Sequence, residues 1–295
     1  MKQILTELDI RDWLTPVSAS SQTLAIQQLE NGNILYMPKL SFSLLNEELP
    51  ALSTRISNHK AKNISFNSQL DQLHGANHVD YDPIMIKSMM ARFAKYAHAL
   101  INHVLPSYSK ALQIGRTSYR PIEIHGRKPK SYRKDDTRLH VDAFPASPNQ
   151  GRRILRVFTN INPDGKGRVW RYGEAFQHVV DRFLPKIGNP WPGRSAVLKA
   201  LGITKTYCTE YDYIMLNIHN KMKADMRYQR TAVQGEIDFA PGNTWIVQTD
   251  HVSHAALSGQ FLLEQTFYLP VEAMQNPELS PLRVLEAAKD RKLTI

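Results

Sequence analysis

The chain has 295 residues, 42% apolar and 22% charged, the balance of a globular protein that can bury a sizeable core, and it carries no low-complexity tract or internal repeat. Its 37 Lys and Arg against 27 Asp and Glu give a formal net charge of +10, which favours anionic partners. The single cysteine, Cys208, excludes an internal disulfide, no apolar run approaches the roughly 18 residues of a spanning helix, and Glu7, Asp9 and Asp12 fall where a signal peptide needs an apolar core, so a cytoplasmic location is expected.

In chain order, apolar residues at 4, 5, 10, 13 and 14 predict a short amphipathic helix over residues 4–14. Asn31-Gly32 marks a turn before a strand over residues 34–42 that Pro38 interrupts. Residues 46–81 show no clean period and read as loop with short helices. The clearest helix has Asp82 as N-cap and Pro83 at its first position. Ile86, Met89, Met90, Phe93, Ala97, Leu100, Ile101 and Val104 then recur three or four apart until Pro106 ends it.

From Tyr119 onward the texture turns to short β-type runs. Strands are predicted over residues 119–125, 139–144, 154–161, 168–173, 236–239, 244–249 and 261–269, with turns at Asn162-Pro163-Asp164-Gly165, Pro190-Trp191-Pro192-Gly193 and Ala240-Pro241-Gly242-Asn243. Helices are predicted over residues 174–184, 194–201 and 209–226, and a last basic helix begins at Ser280-Pro281. Many short strands with helices at both ends and in one insert suit a mixed α/β fold of the α+β type, a double-stranded β-helix or jelly roll with flanking helices. One domain over residues 1–295 is expected, with an elaboration to about residue 115, a core to about 270 and a helix from about 280.

The chemistry centres on Leu139-His140-Val141-Asp142-Ala143. On a strand, residues 140 and 142 point to one side and present an imidazole and a carboxylate together, two-thirds of the 2-His-1-carboxylate set of non-haem Fe(II). The tripeptide recurs at His78-Val79-Asp80, but there it leads into a helix, where Asp80 and Asp82 suit capping. A third ligand must arrive from a distant strand, and residues 241–259 supply His251 and His254. The two face differently on a strand, and His254 is favoured because it precedes the small-residue run into the final strand. His219, near Lys221 and Lys223, reads as a surface or packing histidine. Iron oxygenases of this kind use 2-oxoglutarate, whose distal carboxylate needs a buried cation. Arg156, charged within the apolar run 154–158, is the first candidate, an ion pair internal to the protein being its other reading, and Arg120 is the second. Trp170 and Phe158 can wall the pocket.

The run Thr137 to Pro145 resembles the His-x-Asp strand of Fe(II)/2-oxoglutarate dioxygenases, and the fourteen-residue spacing from Asp142 to Arg156 resembles the asparaginyl-hydroxylase and jumonji arrangement. It departs from the commoner branch, since no basic residue lies between His254 and Pro270. More narrowly, Arg138 to Pro145, Gly167 to Glu174 and Thr249 to Gly259 resemble the 3-deoxy-D-manno-oct-2-ulosonic acid (Kdo) 3-hydroxylases of Gram-negative bacteria, the likeness extending from about residue 25 to about 285. The resemblance implies C3 hydroxylation of Kdo on lipid A to D-glycero-D-talo-oct-2-ulosonic acid, with His140, Asp142 and His254 on Fe(II), 2-oxoglutarate held by Arg156, Arg120 and Trp170, and O2 consumed. The basic run then becomes a rim in which Arg127, Lys128, Lys130, Arg133 and Lys134 meet the anionic substrate, and docking on an anionic inner-membrane surface follows as an expectation. An oxygenase of another substrate, or a non-catalytic basic protein binding lipopolysaccharide or nucleic acid, is the alternative, although no nucleic-acid-binding motif occurs and none is expected as partner.

Overall fold

A computed structural model describes residues 4–58 and 61–294. Eleven strands are named in chain order: β1 Leu5–Glu7, β2 Ile34–Met37, β3 Ile64–Asn67, β4 Gln72–His74, β5 Gln113–Arg120, β6 Arg153–Asn160, β7 Arg168–Tyr172, β8 Gly235–Phe239, β9 Thr244–Gln248, β10 His254–Ala256 and β11 Leu262–Leu269. The α-helices are α1 Ala19–Glu30, α2 Pro83–Val104, α3 Phe176–Phe183, α4 Arg194–Ala200, α5 Glu210–Ala224, α6 Met226–Thr231 and α7 Pro281–Lys289.

Eight strands form one sheet in the order β1-β2-β9-β6-β11-β5-β3-β4, antiparallel except for the β1–β2 pair, and β10-β7-β8 form a second, antiparallel sheet. The two sheets face one another across a cluster containing Phe158, Trp170, Ile237, Phe239, Trp245 and Leu262, in which Phe239 stacks on Trp245 at 3.9 Å and Trp170 meets Trp245 edge-on at 5.6 Å. This is the expected jelly roll with helices on its outer face. There α2 buries all eight of the residues its spacing marked against the far side of the large sheet, which contributes Tyr119, Leu155, Val157, Leu263 and Phe267. The period-two alternation of β6 therefore sends Leu155 and Val157 to the helical core, and Arg156 and Phe158 to the space between the sheets.

Five expectations are corrected, the first being that residues 46–81 are not loop with short helices alone, since they also hold β3 and β4. Residues 4–14 are not a helix: Leu5–Glu7 add a parallel edge strand to β2, and beyond it Leu8, Ile10 and Trp13 are buried without helical structure, Trp13 donating its indole N–H to the Ser41 carbonyl at 2.8 Å. The strand placed at residues 119–125 runs earlier, over Gln113–Arg120, because Pro121 has no N–H to give the ladder. The helix over 209–226 is two, α5 and α6, broken at Asp225, whose carboxylate caps α6 by accepting the Tyr228 N–H at 2.9 Å. Residues 139–144 do not form a regular strand. They touch the small sheet at one bridge, where the His140 N–H donates to the His254 carbonyl at 3.0 Å and the reverse bond is 2.8 Å. Asp142 then leaves that sheet, its N–H donating to the Thr249 carbonyl beyond β9 at 2.8 Å.

Candidate active site

That bridge brings the two histidines together, with ring centroids 4.7 Å apart. Each ring nitrogen Nδ1 lies 2.8 Å from a backbone carbonyl, that of Arg138 for His140 and that of Val252 for His254. A carbonyl only accepts, so Nδ1 carries the proton in both and the Nε2 lone pair is left for a ligand. His140 Nε2 lies 3.7 Å from Asp142 Oδ1, and one donor atom from each of His140, Asp142 and His254 lies within 4.8 Å of the others.

The electrostatics set each group in its ligating form. Burial, then the neighbouring His254 and Lys223, hold His140 well below the usual histidine range, and burial also lowers His254. Burial pushes Asp142 up, but the Arg156 guanidinium above all outweighs it and holds the carboxyl well below the usual range. Two neutral imidazoles and one carboxylate, with Asp142 Oδ1 toward His140 and Oδ2 toward Arg156, fit a divalent ion such as Fe(II).

Around these atoms is a cavity of about 1030 Å³, which brings together every site residue expected from the sequence: His140, Asp142, His254, Arg156, Arg120 and Trp170 within, and Arg127, Lys128, Lys130, Arg133 and Lys134 at its rim. Trp170 stacks on His254 at 5.1 Å. Arg156 places Nη2 3.2 Å from Asp142 Oδ2 and Nη1 3.2 Å from Glu264 Oε1, while its Nε has no partner. Arg120 holds the other oxygen of Glu264 at 2.7 Å. The guanidinium of Arg156 is therefore partly committed inside the protein, the second of its two readings, and still lines the cavity.

Elsewhere the structure resolves what the sequence left open. His251 packs edge-on to Phe176 at 5.7 Å and against the Gly32 turn, away from the cavity. His78, Val79 and Asp80 are exposed, and Asp80 accepts a bond from Asn77 at 2.9 Å while Asp82 caps α2. His219 is a packing histidine, but one inside the cavity, edge-on to His140 at 5.3 Å and pushed down to about 4 by burial and Lys223.

Three cavity residues escaped the sequence reading: Glu264, Lys223 and Arg168. Arg168 is 3% exposed, donates to the Gly259 carbonyl at 2.8 Å and leaves Nε without a partner. Gly259 has φ +107, and a Cβ there would lie 2.9 Å from the Arg168 Cδ, so this approach requires glycine. Among the described residues Arg168 has no carboxylate within ion-pair distance. Burial and the guanidinium groups of Arg120 and Arg127 push it down to about 9. The available signal was its place on the same face of β7 as Trp170, two residues earlier.

Two imidazoles and a carboxylate converging inside a jelly roll, beside buried guanidinium groups, define the class: a non-haem Fe(II) dioxygenase that uses 2-oxoglutarate and O2. Residues 12–292 match the family described as 3-deoxy-D-manno-oct-2-ulosonic acid (Kdo) hydroxylase. The chain is similar to the Kdo hydroxylase KdoO, a non-haem Fe(II) α-ketoglutarate-dependent dioxygenase solved with α-ketoglutarate and Fe(III), at 46% identity over 99% of this chain and 98% of that one, with a TM-score of 0.95. The cobalt(II) complex of KdoO matches at 47% identity, with the same coverage and TM-score. No curated protein sequence matches. The chain belongs to the Kdo hydroxylase family.

Proposed function

We propose that this protein hydroxylates C3 of Kdo on Kdo-lipid A, giving D-glycero-D-talo-oct-2-ulosonic acid while 2-oxoglutarate and O2 yield succinate and carbon dioxide. The observation that carries the reading is the convergence of His140, Asp142 and His254 within 4.8 Å inside a cavity with a basic rim. His140, Asp142 and His254 would hold Fe(II), which when bound supplies the oxygen-activating chemistry. Arg156 keeps the Asp142 carboxylate ionised and oriented, and Trp170 fixes the plane of His254. Arg156, Arg168 and Arg120 are the cations for the keto acid. Arg168 lies one strand repeat, about 6.6 Å, from Trp170 and so from the metal end of the cavity. Sugar carboxylate and lipid phosphates are met by Arg127, Lys128, Lys130, Arg133 and Lys134, the last four exposed. The whole chain acts as one domain in this reading, because β1 and β2 extend the same sheet that carries Arg156.

Contact with an anionic cytoplasmic membrane surface belongs to the same proposal. No helix among the described residues is long and apolar enough to cross a membrane. The α4 segment, however, exposes Trp191, Val197, Leu201 (68%) and Ile203 (54%) beside the basic Lys199 and Lys205. The Lys205 N–H is bonded to the Ala146 carbonyl at 3.0 Å, next to Pro145 at the cavity wall. An exposed apolar segment with Lys199 and Lys205, tied by one backbone bond to the residue beside Pro145, suits a lipid-linked anionic substrate. The deciding assay is succinate release by anaerobically Fe(II)-loaded protein, compared between Kdo-lipid A precursors and peptides. Release driven by the peptides alone would overturn the assignment.

A further inference from the structure

Leu139 lies between the carbonyl that orients His140 and His140 itself. Since His140 directs both its backbone groups at His254, the N–H and C=O of Leu139 face the opposite way, where no further strand follows. Leu139 is fully buried, so water cannot serve them. The side chain of Gln229, from α6, does. Its Oε1 accepts the Leu139 N–H at 2.8 Å, and its Nε2 donates both to the Leu139 carbonyl at 3.0 Å and to the Met222 carbonyl of α5 at 2.8 Å. The amide thus stands in for one peptide unit of an absent neighbouring strand, with both of its N–H protons used. Just before it, Arg138, whose carbonyl takes the His140 Nδ1 proton, is tied to the Lys223 carbonyl at 2.8 Å and to Asp135 at 2.9 Å.

We propose that Gln229 is a positioning residue of the metal centre: through the Leu139 peptide it fixes the tilt of residues 138–142, and so the direction of the His140 lone pair and the Asp142 carboxylate. The helical insert, far along the sequence, is in this way part of the ligand scaffold. The inference rests on reading His140, Asp142 and His254 as the ligands.

The test is anaerobic cobalt(II) titration of the full chain, followed by calorimetry and by the visible d–d absorption of the bound ion, with circular dichroism as the check on fold. Gln229→Met keeps length and removes all three bonds. We expect it to weaken cobalt(II) by about 10- to 100-fold, the range for lost support of a ligand, and to shift the d–d bands. Gln229→Glu, which keeps only the acceptor for the Leu139 N–H, should fall between Gln229→Met and the native protein, and serves if Gln229→Met does not fold. Native affinity and spectrum in either folded variant, with only the melting temperature lowered, would overturn the inference. His140→Ala separates the two readings: if it still binds cobalt(II) the ligand assignment fails, whereas loss there with no effect at Gln229 refutes the positioning role alone.

Discussion

Arg168→Met gives opposite signs for stability and binding, which makes it the sharpest perturbation of the site. In the folded protein Arg168 is buried among Arg120 and Arg127 and is pushed down to about 9 from its ordinary 12.5. Each tenfold in a protonation equilibrium is about 1.4 kcal/mol, so keeping this charge costs the ligand-free protein up to about 5 kcal/mol. Methionine fills a similar volume without charge and forfeits the bond to the Gly259 carbonyl, about 1 kcal/mol. The metal-free variant should therefore be more stable by up to about 4 kcal/mol, a rise of several degrees in melting temperature by scanning calorimetry. Binding should move the other way. A charge-assisted hydrogen bond to a carboxylate contributes about 1.5–3 kcal/mol, so 2-oxoglutarate titrated into cobalt(II)-loaded variant should bind roughly 10- to 150-fold more weakly. A variant that melts lower and binds 2-oxoglutarate as the native protein does would show that Arg168 is a structural strut and refute the reasoning.

Four further outcomes are expected. His140→Ala and Asp142→Asn should abolish turnover and cobalt(II) binding with the circular dichroism spectrum retained, whereas His78→Ala should leave both intact; loss of metal in the last would move the site. Arg156→Lys keeps the charge but loses the fork that spans Asp142 and Glu264, and steady-state kinetics should show the KM for 2-oxoglutarate up about tenfold with a smaller fall in kcat. Burial pushes Glu264 up but Arg120 and then Arg156 outweigh it, so it titrates below its ordinary 4.5. Its stabilising contribution is complete above about that pH and is lost as pH falls through the folded value, so Glu264→Gln should show a shallower fall in melting temperature between about pH 5 and 3 than the native protein. Leu201→Ser with Ile203→Ser should reduce flotation with anionic vesicles severalfold without changing turnover of a soluble Kdo substrate; unchanged flotation would remove α4 from the membrane contact.

What the sequence revealed depended on whether local rules decided the outcome. For α2 they did: Asp82 caps it, Pro83 opens it, Leu105 and Pro106 close it, and one stripe faces the sheet. For residues 4–14 a helical stripe was present, yet pairing Leu5 with Ile34 and burying Trp13 on Ser41 prevailed, a tertiary choice that no local period encodes. α1 went unread for the converse reason. Its buried face is only Ala25, Ile26, Leu29 and the polar Glu30, which bonds Tyr108 at 2.6 Å. In the site, candidate ligands stand out by type and spacing, so His140, Asp142 and His254 could be selected and are found together. Arg168 was missed because, apart from sharing a face with Trp170, what distinguishes it is having no ion-pair partner among the described residues, which only the fold shows, and Glu264 matters through two arginines from two other strands.

The one strand the sequence promised and the fold withheld lies at the centre of the chemistry. In regular β geometry residues two apart share a face about 6.6 Å apart along the backbone, and their side chains can lean together only at the tips. Here the segment bonds His254 at residue 140 and then turns toward Thr249 at residue 142, and the functional atoms close to 3.7 Å. The Leu139 peptide faces away from the ladder and is satisfied by Gln229, while beyond the bridge Asp142 faces Arg156. The α5–α6 corner is what makes the irregularity of this segment tolerable, because Gln229 ties the Leu139 peptide to the Met222 carbonyl.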